Sequence, residues 1–280
     1  MPTVTVTDDR TPDITDRTVP GPHGDVDVRV YTPTGPPAAA LVWAHGGGFA
    51  AGDLDMPESD AVARRLQESG ILVVAVGYRL AGPGTYYPVP SDDVLAAWRW
   101  GRDLALSSGV APGLVQLGGA SAGGNLVAGA VLRLLADGGD VPAAVFLAYP
   151  TLHDVPPAES PVAALAVAGL PQDQRWSAAD VAAMYRGFLG PEQRDVPVPA
   201  VPGTADLEGF PPTFVLTSEA DGLRGSADEF TRRLVFAGTP VFSCCEAGTE
   251  HGHLNRPGPA FDASLRRVAH WLLNSPALVG

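Results

Sequence analysis

The hydrophobic pattern changes period repeatedly along the chain. "VDVRVYTP" alternates apolar and polar, the period of a half-buried strand. "AALVWA" and "ILVVAVGYRL" are unbroken apolar, β-branched runs, which suit strands buried on both faces. Between them "DAVARRLQES" has helical spacing and stops at Gly70. "SDDVLAAWRWGRDLAL" predicts a second helix with Ser91 as N-cap. The alternation continues: "LVQLGG" as strand, "GGNLVAGAVLRLLADGG" as helix, "AAVFLAYP" as strand. "PPTFVLTSEAD", "SADEFTRRLVFAG", "PVFSCCEAG" and "DASLRRVAHWLLNS" complete the chain as strand, helix, strand, helix. Strands alternating with helices predict an α/β fold, one mostly parallel central sheet with helices on both faces.

Two segments break the rhythm. Residues 1–24 are polar with Pro and Gly and predict a loosely ordered N-terminal arm. Residues 151–209 are Pro-rich, carry the Ala-rich "PVAALAVAGL" and the amphipathic "SAADVAAMYRGFLG", and are too long for a plain loop. They are expected to form a small helical cap inserted into one domain spanning residues 1–280.

Composition narrows the function. The 280 residues carry a formal net charge of −13. That is the wrong sign for phosphate, so no nucleic-acid partner is expected, and none at an anionic membrane surface. All 18 basic residues are Arg, so Schiff-base and Ser-Lys chemistry are excluded. Cys244 and Cys245 are sequence neighbours, which disfavours a disulfide between them, and two buried thiols are expected. The opening stretch has no basic n-region and no apolar h-region, and no apolar run reaches membrane length. A cytoplasmic protein is the expectation.

The candidate chemistry begins at "LGGASAGGNL". Gly119-Ala120-Ser121-Ala122-Gly123 fits G-x-S-x-G, a sharp strand-to-helix turn that thrusts a serine up at the end of a strand. The pattern alone also suits an ordinary glycine turn, but here it follows a strand and opens a helix. "HGGGF", His45 to Phe49, follows another strand. Its glycines allow Gly47 and Gly48 to offer bare N–H groups to a developing oxyanion, with the N–H of Ala122 as a third donor. His45 is expected to brace this loop. A serine nucleophile needs a base and an orienting acid, here in the order Ser, Asp, His. The strand "TFVLTSEAD" delivers Asp221, with Glu219 as rival, and "EHGH" offers His251 and His253. The His, Asp and Glu residues show no H-E-x-x-H spacing, so no metal or cofactor is expected.

At these residues the sequence resembles the hormone-sensitive lipase-like family of bacterial serine esterases, which have an α/β-hydrolase fold. "HGGGFAAGD", "YRLA" with "YPVPSDD", "GASAGGNL", "YPTL", "SEADGLRGSADEFTRRLVFAG" and "HGHLN" carry the resemblance over about residues 43 to 255. It implies Ser121 as nucleophile, Asp221 over Glu219 as acid, and His251 over His253 as base. His253 then takes a place that is usually aromatic and is expected, with Phe49, to line the pocket. The chain departs from the family pattern at Ala120, usually Asp, and at Gly222 and Gly225, usually Pro and Asp. It has a short segment before His45, so the cap reduces to residues 151–209. The implied function is a serine carboxylesterase acting on small to medium carboxylic esters through an acyl-enzyme. Alternatives are a deacetylase or lactone hydrolase tailoring a secondary metabolite, a lyase reusing the oxyanion hole, and a non-catalytic ligand-binding protein on the same fold. The last helix is expected in the core, a homodimer surface being the other reading.

Overall fold

The computed structural model describes residues 12–191 and 195–274. One eight-stranded sheet organises them, in the order β1-β2-β4-β3-β5-β6-β7-β8. The strands are β1 Asp13–Val19, β2 Val26–Thr32, β3 Ala39–Ala44, β4 Ile71–Gly77, β5 Val115–Ala120, β6 Val145–Ala148, β7 Thr213–Ala220 and β8 Val241–Glu250. From β4 to β8 every pairing is parallel; β1 and β2 join antiparallel at one edge. Parallel neighbours need crossovers, and helices supply them: α1 Asp60–Gln67, α2 Val89–Ser107, α3 Ala122–Ala136, α4 Pro161–Ala168, α5 Ala178–Leu189, α6 Arg224–Phe236 and α7 Pro259–Asn274.

The period-two geometry of a strand sends alternate residues to opposite faces. Val42, Val74 and Leu117 therefore pack with Leu95 and Trp98 of α2 and Val127 and Val131 of α3. Leu41, Trp43, Val73 and Phe146 pack on the other face with Leu66 of α1 and Leu265, Val268 and Leu272 of α7. The unbroken apolar runs of β3 and β4 follow from this double burial. The last helix is a core helix.

Three expectations need correction. Residues 13–19 are not a loose arm but an edge strand, paired with β2 from Asp13↔Thr32 to Val19↔Val26. Most of β1 is exposed or half-buried, so it carried no apolar signal. Residues 1–11 lie outside the described residues. Ser91 is no N-cap: α2 begins two residues earlier, at Val89, and the Ser91 hydroxyl accepts a hydrogen bond from Arg133. The thiols of Cys244 and Cys245 are free, half-buried and exposed respectively, because β8 is the outer edge of the sheet. Among the described residues no helix is long and apolar enough to cross a membrane.

Candidate active site

Parallel strands end on the same edge of a sheet, where α/β proteins bind ligands. The loops after β3, β5, β7 and β8 meet there. They carry the glycine loop from His45, then Ser121, Asp221 and His251.

Ser121 sits between β5 and α3 with φ +49° and ψ −115°, a backbone state that costs on the order of 1–3 kcal/mol. The flanking glycines make it affordable. A Cβ at Gly119 would strike the Gly123 carbonyl, and one at Gly123 would strike the carbonyls of Ala44 and His45. The turn is held by Ser121 N–H donating to Ala148 O at 2.9 Å.

The Ser121 hydroxyl donates to His251 Nε2 at 2.9 Å, and His251 Nδ1 donates to Asp221 Oδ2 at 2.8 Å. These three residues, 130 positions apart at the extremes, form one hydrogen-bonded line. Asp221 is 1% exposed, and its other oxygen accepts from Leu223 N–H, which fixes the carboxylate plane. Burial opposes charging of His251, but the Asp221 charge and hydrogen bond carry its pKa above the ordinary value. Glu219 turns elsewhere: it accepts from Gly248 N–H on β8.

The glycine loop faces Ser121. Gly47 and Gly48 have φ of +116° and +60°, open to glycine and strained for any other residue. Among the described residues, no group accepts a hydrogen bond from the N–H of Gly47, Gly48 or Ala122. His45 braces the loop from below: its Nδ1 donates to Gly46 O at 2.6 Å, and its ring stacks on Tyr78. Tyr78 OH in turn donates to His45 O. A recess of about 880 Å³ lies on the far side of this loop, against β1 and β2; it touches His45 but none of Ser121, Asp221 and His251.

Two expected pocket residues are placed otherwise. His253 is buried under the site, its Nδ1 against Ser218 Oγ at 2.8 Å and its Nε2 against Ser264 Oγ at 3.1 Å. It occupies the space between β7 and α7, and burial lowers its pKa to about 4. Phe49 is fully buried too, with φ +68°. Its ring is an anchor for α5, stacking on Phe188 at 4.0 Å. Sequence reasoning missed the groups that do cover the site. Met184 of α5 hangs over Gly48, and Trp176 meets His251 edge-on at 6.0 Å. Their place in the Pro-rich insertion, whose path no local pattern sets, hid them. Among the described residues no His, Cys, Asp and Glu gather in a group that could hold a metal.

A family model described as alpha/beta hydrolase fold matches residues 41–255. The chain belongs to the alpha/beta hydrolase fold family. The chain is 34% identical over 253 residues to the carboxylic ester hydrolase LipN of Mycobacterium tuberculosis (strain ATCC 25618 / H37Rv). The match covers 87% of this chain and 65% of LipN, so the chain spans just under two thirds of that relative. Carboxylesterase NlhH of the same strain is 34% identical over 242 residues, 82% of this chain and 72% of NlhH. Among solved structures, an esterase of Pyrobaculum calidifontis superposes with a TM-score of 0.83 at 29% identity, covering 98% of this chain and 88% of that one. A bacterial heroin esterase gives 0.80 at 31%, covering 97% and 86%. The match spans the hormone-sensitive lipase-like motifs read from the sequence, the departures at Ala120, Gly222 and Gly225 aside.

Proposed function

We propose that the protein is a serine carboxylesterase acting on small to medium, neutral or apolar carboxylic esters. The observation that carries the proposal is the Ser121–His251–Asp221 line beside three unused N–H groups. Ser121 attacks the ester carbonyl as His251 takes its proton; Asp221 holds the imidazole in the required tautomer and stabilises its charged form. The N–H groups of Gly47, Gly48 and Ala122 receive the oxyanion, and the N-terminal end of α3 favours the negative charge. His251 returns its proton to the leaving alkoxide, and water then cleaves the acyl-enzyme by the same route.

The thioether of Met184 and the indole of Trp176 support an apolar substrate of modest size. The net charge of −13 disfavours acidic esters, and two free thiols side by side on β8 support a reducing, cytoplasmic setting. The names of the relatives support the reaction class. The test is hydrolysis of p-nitrophenyl esters from acetate to dodecanoate by wild type and Ser121→Ala, with labelling by an active-site phosphonate. Turnover of the shorter esters, lost with Ser121→Ala, is expected. A wild type that neither hydrolyses these esters nor takes up the phosphonate would refute the reading.

A further inference from the structure

Glu58 lies in the loop between β3 and α1 and takes no part in the line from Ser121 to Asp221. Its side chain is 1% exposed, in a region where a charge is costly unless it is fully hydrogen-bonded. Every partner of its carboxylate is a donor. Gly46 N–H donates to Oε2 at 2.6 Å; Tyr149 OH and Asn255 Nδ2 donate to Oε1 at 2.6 and 3.0 Å. Its backbone is tied on both sides as well: Trp43 Nε1 donates to its carbonyl, and its N–H donates to Asn255 Oδ1.

The three donors come from three separate parts of the site. Gly46 is the residue immediately before Gly47 and Gly48. Tyr149, just after β6, presses edge-on against His251 at 5.1 Å, and its hydroxyl also accepts from Leu254 N–H. Asn255 follows His251 by four residues. Three donors on two oxygens suit an ionised carboxylate, and two of them, the Gly46 N–H and the Asn255 amide N–H, can only donate.

We propose that Glu58 is a positioning residue of the esterase site, whose buried carboxylate holds the oxyanion loop and the His251 loop in one fixed register. The proposal rests on the esterase reading above. Its second effect is electrostatic. Around His251 stand Asp221 from the end of β7, Glu58 from the β3–α1 loop, Tyr149 after β6, Trp176 from the insertion, and His253 and Arg256 from its own loop. Asp221 and Glu58 are the negative charges that favour the imidazolium, and Arg256 opposes it. Burial raises the Glu58 pKa above its ordinary value; the Tyr149 and Gly46 donors and the His251 charge offset only part of that rise.

The test is Glu58→Gln on the full chain, followed by kcat, KM, the pH profile of kcat/KM and thermal stability with a p-nitrophenyl ester. Gln keeps the shape but sets an N–H against at least one donor and removes the charge. The expected result is a kcat lower by about 10- to 100-fold, the scale of a misplaced site, with KM nearly unchanged. The acid limb of the profile should move to lower pH. Tyr149→Phe and Asn255→Ala each remove one donor and carry the test if Glu58→Gln does not fold; each should lower kcat with KM held. A merely structural role predicts a lower melting temperature with the acid limb in place, and that result overturns the proposal. Folded variants with wild-type kcat and limb overturn it too. A wild type that is inert and unlabelled refutes the esterase reading itself, an outcome distinct from an active wild type with an indifferent Glu58.

Discussion

Phe188 of α5 stacks on Phe49 of the glycine loop, ring centroids 4.0 Å apart and 8° from parallel. Both rings are fully buried, and Tyr185, one turn earlier, meets Phe49 edge-on. Helix α5, which carries Met184 over Gly48, is therefore fastened to the glycine loop whose N–H groups are the proposed oxyanion donors. Phe188→Ala should cost about 3–5 kcal/mol of stability, as buried aromatic truncations do. It should also lower kcat/KM at least tenfold, because the loop loses its backing. Thermal unfolding and ester kinetics on the same preparation check both.

The elbow depends on a missing atom. A Cβ at Gly123 would collide with the Ala44 and His45 carbonyls, so Gly123→Ala must push the glycine loop away from Ser121. Loss of more than about 100-fold in kcat is expected. Gly113, with no heavy atom within 4 Å of its added Cβ, is the control: Gly113→Ala should leave activity unchanged.

The pH dependence of activity follows from His251. As the proposed base His251 must be neutral, and its pKa lies above the ordinary 6.5: burial works against that, and Asp221 outweighs burial. Activity should therefore fall on acidification through a limb above pH 6.5. Asp221→Asn removes the main charge and should move that limb to lower pH. It should also cut kcat by about 10⁴-fold, the loss seen when a triad acid is replaced by its amide.

His253 sets a second pH effect, on stability. Its folded pKa of about 4 lies below the unfolded value near 6.5, so the unfolded chain binds the extra proton between them. Stability is full above pH 6.5 and drains as the pH falls toward 4, by about 3 kcal/mol for this group. Denaturant unfolding at pH 7 and pH 5 should show the loss, and His253→Asn should flatten it.

The elbow, the glycine loop and the order Ser, Asp, His were legible because each is written locally. Gly119 and Gly123 are demanded by backbone a few atoms away, and Asp221 and His251 each follow a run that reads as a strand. What stayed hidden depends on the far side of the sheet or on an edge. β1 has water on both faces and hence no period; His253 is two residues from His251, yet turns inward to Ser218 and Ser264. Glu58, in "MPESD", looks like a surface acid and becomes buried only because Tyr149 and Asn255 arrive from 91 and 197 residues away.

β8 pairs only with β7 and forms the rim of the sheet, yet it leads directly into His251. The proposed base thus follows one of the two strands with a single neighbour, while Ser121 is set in the middle. Such a rim is where sub-global opening is cheapest. In rising urea, catalysis should fail while most of the fold still protects its amides from hydrogen exchange, with β8 amides exchanging first. Enzymatic activity thereby becomes a gauge of fraying at one margin of the molecule.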